Sequence, residues 1–294
     1  MIIQKNKEKI MPYRLDINKI KVRLQYILPK KALTRLVGLL ADAQLGKATA
    51  LAIEKFAHAY HINLDEMEGQ ITDYKTFNSF FARPLKAGVR PIDTAANSII
   101  FPADGRISQY GKLKENLQLQ AKGHYFTTSA LLGNIYDAAQ FNNGDFMTVY
   151  LSPSDYHRVH MPLSGKLRKM TYIAGELFSV NPLYTQHIPE LFSRNERVVC
   201  LFETAAGPMA VILVGAAIVR SIETKWAGVV APQKSDFTVY NYEHEDIRFN
   251  KGDEIGKFFM GSTVICLFAE NAVKMADIAL ETHVNMGQKM AEIA

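Results

Sequence analysis

Beyond about residue 70 the chain becomes a succession of short runs of β-branched and aromatic residues, at 146–151, 197–202, 209–214, 216–222 and 262–268, set apart by Gly, Pro and Asn. Runs of this length and composition, bounded by turn formers, read as strands. The two that flank Ala205-Ala206-Gly207 predict a hairpin, whereas 77–91, with Pro84 and Pro91, predicts a connecting loop. Ahead of them Leu45, Ala48, Ala52, Phe56 and Ala59 recur at helical spacing and predict a helix ending near Tyr60, before a polar break at 61–70. The expected fold class is α+β: N-terminal amphipathic helices within residues 1–62, then a β-rich core, barrel- or sandwich-like, over 63–294. At 294 residues and 48% hydrophobic, the chain has ample material for such a core.

Charge is concentrated at the start. Residues 1–35 carry ten basic side chains (Lys5, Lys7, Lys9, Arg14, Lys19, Lys21, Arg23, Lys30, Lys31 and Arg35) against Glu8 and Asp16, which leaves the remainder mildly acidic in a chain of net charge +5. Ile17, Ile20, Val22, Leu24, Tyr26, Ile27 and Leu28 are interleaved with these charges, and after Pro29 so are Leu33, Leu36, Val37, Leu39 and Leu40. Short helices with an apolar face and a cationic rim fit this pattern. A solvated helix face packed on the domain, a nucleic-acid arm and an anchor on anionic lipid all have such charge. Bulky aliphatics among the charges, and no nucleic-acid-binding fingerprint after them, favour the membrane surface.

The longest uncharged stretch near the middle, 204–219, contains Gly207, Pro208 and Gly215 and falls short of the ~20 apolar residues that a spanning helix needs. No apolar block of the secretory kind follows the first lysines, so export is not expected. Cys200 and Cys266 are too few and too far apart for a metal knuckle or redox pair, which suits a reducing cytoplasm and buried packing roles.

Three local features could carry chemistry, while a P-loop and the G-x-S-x-G, G-x-G-x-x-G, H-E-x-x-H and C-x-x-C signatures are missing. Asp155-Tyr156-His157-Arg158-Val159-His160 holds two imidazoles three residues apart. No further ligand lies near to complete a metal site, so no metal is expected; proton transfer or a hydrogen-bonded structural role remains. Phe101-Pro102-Ala103-Asp104-Gly105-Arg106 places a carboxylate at a turn, as a turn former or as the orienting partner of a histidine base. Phe258-Phe259-Met260-Gly261-Ser262-Thr263-Val264-Ile265 sets Gly-Ser at the mouth of an apolar strand. A β-bulge or turn is one reading. The other is chemical: glycine leaves its carbonyl open to close approach, so the next residue's hydroxyl can attack it and convert an amide to an ester.

Taken together these features resemble a bacterial phosphatidylserine decarboxylase. The motifs stand at Phe101 to Gly105, Tyr156 to His160 and Met260 to Thr263, in the family's order, with similar text at 76–91, 177–181, 195–202 and 214–223. The similarity covers roughly residues 15 to 270; Met260 replaces the usual leucine, and residues 1–12 look like an added basic lead. The resemblance implies that Ser262 attacks the Gly261 carbonyl, with His160 as proton acceptor and Asp104 holding its tautomer. The chain would split into 1–261 and 262–294, and Ser262 would become a covalent pyruvoyl group. That ketone would form a Schiff base with the serine amine of phosphatidylserine and act as the electron sink for loss of CO2, giving phosphatidylethanolamine, with His157 returning the proton. The aromatic group Phe77, Phe80 and Phe81 is a candidate for the pocket wall. A peripheral location on the cytoplasmic side of the inner membrane and a homodimer are likewise implied, with no nucleic-acid partner. Two rivals share some of these features: a pyruvoyl decarboxylase of a soluble amino acid, and a non-catalytic lipid-binding β-domain.

Overall fold

The computed structural model describes residues 17–294 except 122, 217–220, 234, 260 and 261. The predicted basic lead 1–12, the Met260-Gly261 peptide and most of the run 216–222 therefore lie outside the described residues. From the last of these, Ile222–Thr224 is a strand.

Pro29 divides the basic segment into helices α1 (Ile17–Ile27) and α2 (Lys30–Ala41). Proline has no N–H to continue the first helix but suits the start of the second. Helix α3 (Lys47–Ala59) ends beside Tyr60 as predicted, but it buries Thr49, Ile53 and Ala57 and leaves Leu45, Ala48, Ala52 and Ala59 exposed. An alanine-rich helix offers more than one stripe at i, i+4 spacing, and the bulk of Ile53 decides which faces inward. Ile53 and Ala57 form a small core with Ile62, Met67 and Phe80. Phe80 belongs to helix α4 (Phe77–Phe81), which replaces the first part of the loop predicted at 77–91. Thr76 caps it: its hydroxyl accepts from the Ser79 N–H at 3.0 Å, and the Ser79 hydroxyl accepts in return from the Thr76 N–H at 3.3 Å.

The β-rich core is built on a nine-stranded antiparallel sheet. Its main path runs Phe237–Asn241, Gly165–Ile173, Arg197–Thr204, Gly207–Val214, Ser262–Phe268, Asp145–Leu151, Gly105–Lys112 and His283–Val284; Arg248–Phe249 adds beside the second of these. The path is open, so the sheet is not a closed barrel. The predicted hairpin is present, with Thr204 opposite Gly207 across Ala205-Ala206.

The central strands are apolar on both sides because the sheet is covered on both. Met147, Val149, Leu151, Cys200, Val211, Val264 and Cys266 point into one cluster, with Val159, Ile222, Ile255 and Phe258 of a four-stranded sheet. The alternate residues Phe146, Val199, Ile212, Ile265 and Leu267 point into another, with Leu131, Leu132, Leu191 and Phe192 of short helices. A strand with two dry faces loses the polar alternation of a half-exposed one, hence the unbroken apolar runs. Cys200 and Cys266 are free thiols inside this core, and burial pushes both up, Cys266 to about 12. Among the described residues no helix is long and apolar enough to cross a membrane.

Candidate active site

Strand direction gathers the candidate residues at one end of the nine-stranded sheet. Ser262 opens its strand opposite Leu151, the last residue of Asp145–Leu151, while Thr263 lies opposite Val214, the last of Gly207–Val214. Gly105 begins Gly105–Lys112 at the same end, so Asp104 enters there. A Cβ at Gly105 would lie 2.3 Å from the Tyr150 carbonyl oxygen, which is why glycine follows Asp104 where the two backbones meet.

After Leu151 the chain turns through Ser152-Pro153-Ser154-Asp155. The Asp155 carboxylate accepts from the Ser152 N–H and hydroxyl, each at 2.7 Å, and the Asp155 N–H donates to the Ser152 carbonyl at 2.9 Å. This closed turn delivers His157, whose carbonyl accepts from the Phe258 N–H at 3.0 Å, four residues before Ser262. His157 Nδ1 lies 2.8 Å from the Asp155 carbonyl oxygen. A carbonyl only accepts, so Nδ1 carries the proton and Nε2 presents a lone pair. That nitrogen is buried and has no hydrogen-bond partner among the described residues. The ring sits edge-on to Phe81 with centroids 4.2 Å apart. Burial in these apolar surroundings pulls the imidazole down to about 4, against the opposing pull of the Asp155 carbonyl and carboxylate, and keeps it neutral near pH 7.

His160 is held differently. Nδ1 donates to the Gly252 carbonyl at 2.8 Å, and Nε2 accepts from the Tyr156 hydroxyl at 2.9 Å. Burial lowers its pKa, with the Gly252 contact and the charges of Glu254 and Asp104 pulling the other way. The hydrogen bond expected between Asp104 and His160 is not formed. Asp104 is instead clasped by Arg90, with Nε at 2.9 Å and Nη2 at 2.7 Å from Oδ2, and Oδ1 also accepts from the Met286 N–H at 2.8 Å. A nearly fully buried carboxylate is better satisfied by a guanidinium fork than by a neutral imidazole. The two residues are still neighbours, because the His160 N–H donates to the Pro102 carbonyl at 2.7 Å, two residues before Asp104.

Ser262 is fully buried, and among the described residues its hydroxyl has no hydrogen-bond partner; neither has the Thr263 hydroxyl beside it. A buried hydroxyl left unpaired costs about 1–3 kcal/mol. Gly261, the predicted cleavage position, lies outside the described residues.

Sequence reasoning missed the groups that tie these residues down. Tyr156 stands inside the quoted motif and Arg90 inside the similar text at 76–91, so both were within reach. The Gly252 carbonyl had no signal, because any residue supplies one. Among the described residues there is no cluster of His, Cys, Asp and Glu that could hold a metal. A cavity of about 960 Å³ adjoins the same sheet end, with Arg35, Leu36 and Leu39 of α2 on one side and Tyr172, Leu177 and Glu196 on the other.

Comparison with known proteins bears on this arrangement. The family model described as phosphatidylserine decarboxylase matches residues 77–292, and a second, described as PSD, matches residues 20–61. Proteins named phosphatidylserine decarboxylase proenzyme are similar over almost the whole chain. That of Shewanella putrefaciens is 48% identical over 286 residues, covering 94% of this chain and 99% of its own. That of Shewanella pealeana is 51% identical over 286 residues, with the same coverage of both chains. The Dickeya dadantii protein is 51% identical over 283 residues, covering 94% of this chain and 93% of its own.

Proposed function

This chain belongs to the phosphatidylserine decarboxylase family, and we propose that it is a precursor that splits between Gly261 and Ser262 and then converts phosphatidylserine to phosphatidylethanolamine and CO2. The observation that carries this reading is the buried Ser262 hydroxyl at the same sheet end as a neutral His157 Nε2, neither with a hydrogen-bond partner among the described residues. The relatives' description as proenzymes supports a processed chain. The division proposed is 1–261 and 262–294, within a catalytic unit that begins near residue 63.

The Ser262 oxygen is both nucleophile and, after the shift to an ester, leaving group. His160 is the proton acceptor. The Gly252 carbonyl fixes the proton on Nδ1, so Nε2 can take the serine proton once it exchanges the Tyr156 hydroxyl for that of Ser262. Asp104 acts on His160 through its field, favouring the imidazolium, while Arg90 holds the carboxylate in place. Ser262 suits conversion to a pyruvoyl group, because its oxygen and Cβ lie in a dry setting with no competing hydrogen bond; that group supplies a ketone able to draw electrons from a bound amino acid as CO2 leaves. His157, neutral before substrate arrives, takes the proton that the substrate ammonium must shed and returns it to carbon. Phe81 keeps water from that exchange.

Helices α1 and α2 bring this site to its substrate. Ile17, Ile27, Leu36, Leu39 and Leu40 are each more than half exposed, on helices that also carry Lys19, Lys21, Arg23 and Arg35. The junction is anchored to the core: Lys30 pairs with Glu176 at 3.0 Å and lies 3.8 Å from the Phe178 ring centroid. An exposed apolar face with a cationic rim suits peripheral binding to anionic lipid, on the cytoplasmic side of an inner membrane.

The test compares CO2 release from phosphatidylserine vesicles and from free serine. Release from phosphatidylserine, with binding that weakens as salt is raised, is expected; release from free serine alone would contradict the substrate, and binding indifferent to salt and to anionic lipid would contradict the role of the helices.

A further inference from the structure

We infer that Arg83 is the substrate-binding residue that holds the phosphodiester of the lipid headgroup beside His157. This rests on the phosphatidylserine reading above and adds a residue to it.

Three consecutive residues, beginning with the last of α4, lie against the segment that carries His157. Phe81 packs on the His157 ring, the Ala82 carbonyl accepts from Arg158 Nε at 2.9 Å, and Arg83 Nη2 donates to the Ser154 carbonyl at 3.2 Å. Arg83 is only 4% exposed, yet Nε and Nη1, with three N–H bonds between them, have no hydrogen-bond partner among the described residues. The guanidinium lies over the Phe80 ring, 5.3 Å from its centroid, which contributes attraction but no hydrogen-bond acceptor of the ordinary kind.

The acids nearest in its field are engaged elsewhere. Asp104 and Glu66 both accept from Arg90. Asp155 accepts from Ser152 on one oxygen and lies 3.0 Å from His283 Nε2 on the other. A buried guanidinium that has no ion pair of its own among the described residues, and only the fields of carboxylates engaged elsewhere, is costly, and an anion supplied from outside lowers that cost. Arg83 also stands close enough to His157 for its charge to disfavour the imidazolium, which places its field on the reacting headgroup.

Phosphatidylserine brings two anionic groups, a phosphodiester and a carboxylate, and the reaction discriminates between them. The carboxylate loses its charge as CO2 departs, so a guanidinium bound to it would stabilise the ground state and slow the step. The phosphodiester keeps its charge from start to finish. Binding it is uniform along the reaction and appears in KM rather than kcat.

The experiment measures equilibrium binding to the purified full-length protein of two short-chain probes that lack a free amine and so cannot react with a ketone. Dihexanoyl phosphatidylglycerol has the phosphodiester without the carboxylate, and N-acetylserine has the carboxylate without the phosphodiester. Arg83→Gln is expected to raise the Kd for phosphatidylglycerol ~10- to 100-fold, the scale of losing charge-assisted hydrogen bonds, and to leave N-acetylserine unchanged. Arg83→Lys, which keeps the charge but not the planar donor set, is expected to fall between, and it carries the test should Arg83→Gln not fold. KM for dihexanoyl phosphatidylserine should rise in step while kcat holds. An unchanged phosphatidylglycerol Kd in either soluble variant would overturn the inference, and a loss confined to N-acetylserine would reassign Arg83 to the carboxylate. A gel of the same samples separates the two readings: a wild-type chain that stays whole contradicts self-processing, while the binding results still decide the role of Arg83.

Discussion

The two ends of the nine-stranded sheet share the same strands and the same dry core, yet differ in how the polar side chains of their strand ends and turns are satisfied. At the far end, the Thr204 hydroxyl donates to the Gly207 carbonyl at 2.8 Å and accepts from the Ala206 N–H at 3.1 Å, and Lys112 pairs with Asp145 at 3.0 Å. At the near end Ser262, Thr263, His157 and Arg83 all keep buried polar atoms with no partner among the described residues. Local turn chemistry can satisfy a strand end, as the hairpin shows, so the unsatisfied end is not a consequence of the architecture. On the function proposed above, it is where the chain holds groups for reaction rather than for stability.

The contrast can be broken most completely at the histidines. His160→Ala is expected to abolish splitting, because the acceptor of the serine proton is gone. His157→Ala should still split but lower kcat for CO2 release ~100-fold or more, the scale of a lost general acid–base group. One gel and one assay check both, and the reverse pattern would exchange the two roles.

A smaller effect concerns acid stability. The His157 pKa stands near 4 in the folded chain against 6.5 in the unfolded one, so between these values the unfolded state binds more protons. Stability therefore rises with pH across that window: the contribution is fully present above about pH 6.5 and falls away toward pH 4, by up to roughly 3 kcal/mol. His157→Gln removes this titration, and the loss of Tm between pH 7 and pH 5 should shrink relative to wild type. An equal loss in both proteins would mean that His157 titrates normally.

The smallest effect belongs to the far end. Gly207 has φ +85°, and a Cβ there would meet nothing within 4 Å. Gly207→Ala is expected to cost about 1 kcal/mol of backbone strain, read as a small fall in Tm, and to leave splitting and CO2 release unaltered. Impaired splitting would show that the two ends are coupled.

What was legible in the sequence follows the same division. The strands were visible because a sheet buried on both faces writes itself as unbroken apolar runs, and Ala205-Ala206-Gly207 marked its own hairpin. The three motifs were visible through resemblance, and the register of Ser262 with Leu151 places two of them at one sheet end. The partners were hidden. Nothing in the neighbourhood of Asp104 announces that Arg90 claims it, since that pairing depends on how 62–91 wraps around the sheet. The stripe that α3 buries was hidden for a similar reason, because its alanines satisfy several registers and only the packed neighbours choose among them. Arg83 stands in the sequence as one charged residue in a Pro-flanked stretch; its meaning lies in its burial, which no spacing reveals.

The central claim is that the unpartnered Ser262 hydroxyl is spent on breaking the chain. Intact mass spectrometry of purified wild-type and Ser262→Ala protein tests it most directly. The wild type should appear as two chains, 1–261 and 262–294, the smaller lacking the amine at its first residue, and Ser262→Ala as one unbroken chain that releases no CO2. A wild-type chain that is whole, carries an unmodified serine at 262 and decarboxylates phosphatidylserine would contradict the account.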